Sequence, residues 1–179
     1  YMAFGYSKAG GDGVGTALVV PGPGLLNATA GVGTAYSAST PTLLVAGQSY
    51  THEIGKDTGA LHEVNDQLDV VRPITKWAAR MTSVSEVPDT VHEAFRMLKT
   101  GRPLPVEIEI AWDTLADEGD VDLHEPAIYE PLAPADGDLN RVVELLSQAE
   151  RPLSWGGGGS VCPTQAPHWK RWPSTCRPR

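Results

Sequence analysis

The chain has 179 residues, 14 basic against 22 acidic side chains, and a net charge of −8. With 41% apolar and 20% charged residues it has the balance of a soluble globular protein, long enough for one domain and part of another. The acidic excess argues against a nucleic-acid or anionic-membrane surface, and no run approaches the roughly 18 apolar residues of a membrane span.

Residues Tyr1–Ala9 read as the end of a helix, closed by Gly10-Gly-Asp-Gly13. Thr16–Val20 is a short β-branched run suited to a buried strand, which Pro21 and Pro23 should stop because proline donates no hydrogen bond. A helix built from small residues follows over Leu25–Ser37, then a second buried strand from Pro41 to Ala46, closing on Gly47-Gln48. Strand, helix and strand with short joints make a βαβ unit with parallel strands, and hence an α/β fold. Tight packing with backbone exposed at the Pro21–Gly24 turn describes a binding corner.

Ser49–Val71 is polar and is expected to be an irregular connection with a short helical piece around Leu61–Leu68. Another ordered segment begins at Arg72–Trp77. Val87–Lys99 is an amphipathic helix, with Ser85 as its expected cap and Pro88 in its first turn. Gly101 ends that helix. Leu104–Ile110 alternates as a strand, with Glu107 and Glu109 between apolar positions. Residues 115–137 have linker composition, Asp138–Ala149 is a second amphipathic helix, and Pro152–Trp155 is expected to be a strand running into Gly156–Gly159.

The last twenty residues break with this pattern. They hold both cysteines, Cys162 and Cys176, and no acidic residue follows Glu150, whereas Lys170, Arg171, Arg177 and Arg179 crowd the end. Two readings of 160–179 stand: an out-of-frame tail, or a basic-aromatic tail for an acidic or nucleic-acid partner. The cysteines fit neither a zinc spacing nor a disulfide framework, and cytoplasm is the default compartment. Tyr1–Gly5 lack a signal-peptide pattern, and a start at Tyr1 leads us to expect residues before it.

Pro21-Gly22-Pro23-Gly24 joins a strand to a helix N-terminus, where glycines let a ligand approach free N–H groups. A simple tight turn is the open alternative. Asn27 could hydrogen-bond a ligand or its own backbone. Gln48 ends a buried strand, where a binding and a purely structural amide are equally open. Gly10–Gly15 resembles a dinucleotide fingerprint but precedes its strand, which makes it a loop. His52-Glu53 and His62-Glu63 lie outside an H-E-x-x-H pattern and read as solvated loop side chains.

Gly5-Tyr6, Val19–Asn27, Pro41–Gln48, Arg72–Lys76 and Gly101–Ile108, taken in order, resemble the amino-terminal pyrimidine-binding domain of thiamine-diphosphate enzymes of the acetolactate synthase kind. Arg151–Gly159 is similar to the opening of that family's central domain. The resemblance implies residues 1–114 as the pyrimidine-binding domain, a linker over 115–137, and the start of a central domain over 138–159. It implies thiamine diphosphate with magnesium, a 2-oxo-acid substrate, and decarboxylation or carboligation, with the cofactor carrying the chemistry. Family members use a glutamate before the position of Gly5 and a magnesium motif in a later domain. Both would fall outside Tyr1–Arg179, so an inactive fragment, incomplete at both ends, is expected. Leu61-His62-Glu63 departs from the Phe-Gln-Glu of acetolactate synthases, so pyruvate is not implied as substrate. The residues carried over as cofactor-side or interface positions are Pro21, Gly22, Pro23, Gly24, Asn27 and Gln48. Expected partners are a second copy or a full-length homologue. A non-catalytic interaction domain is the alternative function.

Overall fold

The computed structural model describes residues 1–9, 13–130, 133–153 and 155. The chain divides into two compact units, Tyr1–Pro131 and Leu132–Arg179. The first is built on four parallel strands: β1 (Gly15–Val19), β2 (Thr42–Gln48), β3 (Trp77–Met81) and β4 (Val106–Ala111). Their order in the sheet is β1-β2-β4-β3, so the last strand in sequence is inserted between its two predecessors. The expected α/β fold and the parallel β1–β2 pair are observed.

One face carries α4 (Val87–Lys99). Its Ala94 and Leu98 pack on Leu43 of β2, Met81 of β3, and Val106 and Ile108 of β4. The other face carries α2 (Pro23–Ser37), whose Leu25 and Val32 meet Leu44, Ala46 and Val71. Both faces of the central strands are therefore covered, as a parallel sheet requires. The small residues of α2 serve this packing. A Cβ on Gly31 would stand 3.2 Å from the Tyr1 nitrogen, because α1 (Met2–Ala9) lies against α2.

Several local expectations shift by a few residues. Helix α2 begins at Pro23, so Pro23 and Gly24 belong to its first turn and only Pro21-Gly22 forms the bend. Proline suits that first position, where an N–H would have no partner. The helical piece expected at Leu61–Leu68 is instead α3, Gln67–Val71. Asp66 starts it by accepting the N–H groups of Leu68 and Asp69 at 3.0 and 3.4 Å. Ser85 does not cap α4, because a 3₁₀ turn over Val84–Glu86 leads into the helix and the Ser85 hydroxyl lies 3.0 Å from that of Ser83. At the other end of α4 the Lys76 ammonium donates to the carbonyls of Met97 (2.7 Å), Thr100 and Arg102 (3.1 Å). It thereby serves orphan groups of the helix C-terminus.

After β4 comes a short helix, α5 (Trp112–Ala116), and then an extended segment. In the second unit the described element is α6, Asp136–Gln148. Its Leu139, Val142, Val143 and Leu145 are exposed. Pro152, Leu153 and Trp155 are not in a strand, and Leu153 and Trp155 stand almost fully in solvent, with no neighbouring strand to pair with among the described residues. Gly10–Asp12 and the 160–179 tail lie outside the described residues. Among the described residues no helix is long and apolar enough to cross a membrane.

Candidate functional site

The C-terminal ends of β1, β2 and β4 meet beneath the Pro21–Gly22 bend, the usual ligand edge of an open parallel sheet. The backbone there is not open as expected. Gly22 has φ of 55°, a conformation that favours glycine, and a Cβ on it would stand 2.2 Å from the His62 carbonyl oxygen. Its N–H donates to Gln67 Oε1 at 2.6 Å. The long connection after β2 has folded back over the bend and taken the donor that a ligand would otherwise meet. Gly47 is equally constrained, since a Cβ there would come within 2.9 Å of the Pro21 ring.

Below the bend lies a buried polar cluster. Gln67 Nε2 donates to the Gly47 carbonyl at 3.0 Å and to Glu109 Oε2 at 3.1 Å. Gln48 Nε2 donates to Glu109 Oε1 at 3.3 Å, while its own Oε1 accepts the Ser49 N–H at 2.7 Å. Arg80 Nε pairs with Glu109, and its Nη2 reaches Asp66 Oδ1 at 3.3 Å. The Glu109 carboxylate therefore has donors from β2, α3 and β3. Glu107, one step back on the same face, is 0% exposed, and neither of its oxygens has a partner among the described residues. Burial, then the nearby Glu109, pushes its carboxyl up to about 9, so it is a neutral acid at pH 7.

Of the residues singled out from the sequence, Pro21, Gly22 and Gln48 are buried at this corner, and Gly24 is half-buried. Pro23 and Asn27 are exposed on the first turns of α2. Gln48 is engaged on both amide atoms within the protein. His52 and His62 are exposed, as read for solvated loop side chains. Glu63 is half-buried and accepts the N–H groups of Thr58, Gly59 and Ala60 at 3.1, 2.6 and 2.9 Å. With Asn65 donating to Asp57 at 3.0 Å, the connection becomes a self-bonded lobe resting on the bend. Nearby, the Asp113 carboxyl accepts from the Thr51 hydroxyl and N–H, and the Thr51 hydroxyl is the main cause that holds it below its ordinary value.

Three members of the cluster, Gln67, Arg80 and Glu109, were not among the residues picked from the sequence. The available signal was weak. Gln67 shares a buried spacing with Leu68 and Val71, and Glu109 sits in a strand whose alternation ordinarily marks a half-exposed position. On the opposite face, an apolar groove of about 600 Å³ runs between α4 and the segment ending at Tyr129, walled by Val87, Val91, Phe95 and Leu123. His124 at its edge lies 2.5 Å from Asp89. That groove lacks a buried polar cluster like the one beneath the bend, so the corner is the stronger candidate.

Pro23 and Asn27 are exposed at this corner, the first presenting an apolar ring and the second an amide able to donate and to accept. Among the described residues no cluster of three or more His, Cys, Asp or Glu stands where it could hold a metal ion.

Residues 1–70 match the family described as thiamine pyrophosphate enzyme, N-terminal TPP binding domain. Among curated proteins, the chain is 32% identical over 168 residues to "Probable 2-ketoarginine decarboxylase AruI" of Pseudomonas aeruginosa, covering 93% of this chain and 30% of that protein. It is 35% identical over 163 residues to the acetolactate synthase large subunit of Lactococcus lactis, covering 89% and 28%. It is 32% identical over 170 residues to the "Probable acetolactate synthase large subunit" of Methanocaldococcus jannaschii, covering 90% and 28%. The chain thus spans under a third of the length of these relatives. Together with the strand–turn–helix corner and the parallel sheet already described, residues 1–70 match an N-terminal TPP binding domain of thiamine pyrophosphate enzymes, and most of the chain is similar to acetolactate-synthase-like proteins.

Proposed function

We propose that the chain is the pyrimidine-side domain of a thiamine-diphosphate-dependent enzyme that decarboxylates or joins 2-oxo acids. The observation that carries this reading is the Pro21–Asn27 corner, built over the C-terminal ends of parallel strands in a chain whose residues 1–70 match this family. Pro23 and Asn27 would face the aminopyrimidine, Pro21, Gly22 and Gly24 would shape the bend beneath it, and Gln48 would hold the strand end in place. When bound, thiamine diphosphate supplies an acidic ring carbon that adds to a 2-oxo-acid carbonyl and takes up the electron pair left as carbon dioxide departs. The role of this chain is to orient and to exclude water. We assign the magnesium and diphosphate end to no residue here.

The domain division 1–114, 115–137 and 138–159 forms part of the proposal, as does catalysis by a full-length relative rather than by these 179 residues alone. Thermal unfolding with added ligand tests it. We expect thiamine diphosphate with magnesium to raise Tm and a nicotinamide dinucleotide to leave it unchanged; the reverse result overturns the reading. Product formed from pyruvate by the purified chain would overturn the inactivity. A second reading, a docking domain, is favoured by Leu18, 78% exposed on β1, with Val20 beside it. Size-exclusion chromatography, alone and with an intact homologue, decides it: a lone monomer that ignores the homologue removes that reading.

A further inference from the structure

Gln67 is fully buried and uses every hydrogen-bonding group of its amide. Oε1 takes the Gly22 N–H, and the two hydrogens of Nε2 go to the Gly47 carbonyl and to Glu109 Oε2. The amide cannot be turned over, because its NH₂ group would then meet the Gly22 N–H. One side chain at the start of α3 therefore joins the β1–α2 bend, the end of β2 and the middle of β4. Gly22 cannot relax outward past Gln67, since the His62 carbonyl lies against its Cα.

We propose that Gln67 is the positioning residue of this corner: by holding the Gly22 N–H inward it sets the direction in which Pro23 and Asn27 are presented to the cofactor's aminopyrimidine. This rests on the cofactor reading above. Gln67 touches no ligand and acts through the bend. A leucine of similar volume would fill the space but strand the Gly22 N–H, the Gly47 carbonyl and one oxygen of Glu109, and a stranded N–H turns toward water.

The test is a titration of the full chain with thiamine diphosphate and magnesium, followed by amide NMR shifts at Gly22–Asn27, with circular dichroism to confirm folding. Wild type should show shifts confined to the corner, and Gln67→Leu should bind at least about tenfold more weakly while remaining folded. Gln67→Glu supplies the specific readout. Set among Glu109, Arg80 and Asp66, its carboxyl can replace one donor and one acceptor only when protonated. Binding by Gln67→Glu should be weak near about pH 8 and recover as the pH falls, while wild type changes little over the same range. If Gln67→Leu does not fold, this pH series carries the test by itself. Equal binding by wild type and Gln67→Leu, or a Gln67→Glu affinity with no pH-dependent recovery, overturns the positioning role and leaves the cofactor reading intact. No shift in wild type at the corner overturns the cofactor reading and, with it, the role of Gln67.

Discussion

On one face of β4, Val106 and Ile108 pack with Leu43, Met81, Ala94 and Leu98, and Ile110 lies against the same cluster. On the other face of the same strand, Glu107 and Glu109 are each 0% exposed. The first face is closed by apolar contact alone. The second lies on the sheet face that carries the small-residue helix over β1 and β2, and toward the C-terminal end of the sheet it is closed by an arginine, two glutamines and a carboxylate. The difference shows how a buried charge is tolerated in this fold: Glu109 has donors from three elements, whereas Glu107 has none among the described residues and keeps its proton instead. The polar closure lies where the bend and the proposed cofactor surface are.

Mutations on the two faces should separate these modes of closure. The largest loss is expected from Arg80→Met, which leaves Glu109 buried with only neutral donors. Urea unfolding should report about 4 kcal/mol of destabilisation, and the double variant Arg80→Met/Glu109→Met should recover part of it. A single-variant loss below about 1 kcal/mol would mean that the ion pair does not hold this face. On the apolar face, Ile108→Ala should cost about 3 kcal/mol through lost burial and the cavity left behind. That loss should be independent of pH, because no titrating group is involved.

The smallest change, and the one of opposite sign, is expected from Glu107→Leu. Removing an unpartnered buried acid should stabilise the protein by about 1 kcal/mol below about pH 4.5, where folded and unfolded chains both keep the proton, and by more as pH rises. Its pH dependence gives a second check. The unfolded chain releases the Glu107 proton near the ordinary value of 4.5, while the folded chain holds it to about 9. Between those values the folded state binds more protons, so this group makes stability fall as pH rises, by up to about 1.4 kcal/mol per unit. Below the window both states are protonated, above it neither is, and the contribution is flat. Wild type should lose this component across the window and Glu107→Leu should not. Parallel pH curves for the two proteins would show that Glu107 is not a buried neutral acid.

Much of the corner was legible because its signals are local. Pro21 and Pro23 cannot donate to a ladder, and the apolar runs on either side of the small-residue helix match the observed β1, α2 and β2 to within two residues. The 87–99 helix was legible for the same reason, since its period of apolar side chains survives any change of neighbour. Strand β3 was read only as an ordered segment: Trp77–Met81 carries an arginine and two alanines and becomes a strand by pairing with β4. The helix at Gln67–Val71 was misplaced because its start depends on one capping side chain, Asp66, in a polar stretch with several candidate starts.

The amino-acid order alone determined where chain segments are straight, where they bend, and which family they resemble, because backbone restrictions and hydrophobic period act over a few neighbouring residues. What only the tertiary structure decided is what each side chain faces. Inserting β4 between β2 and β3 turned an alternating strand into a doubly covered one, buried Glu107 and Glu109, and brought Gln48, Gln67 and Arg80 to the same carboxylate. Folding the 49–66 connection back over Gly22 closed a bend that looked open in isolation. Burial and hydrogen-bond partnership are properties of contacts between residues far apart in the chain, and no local pattern encodes them.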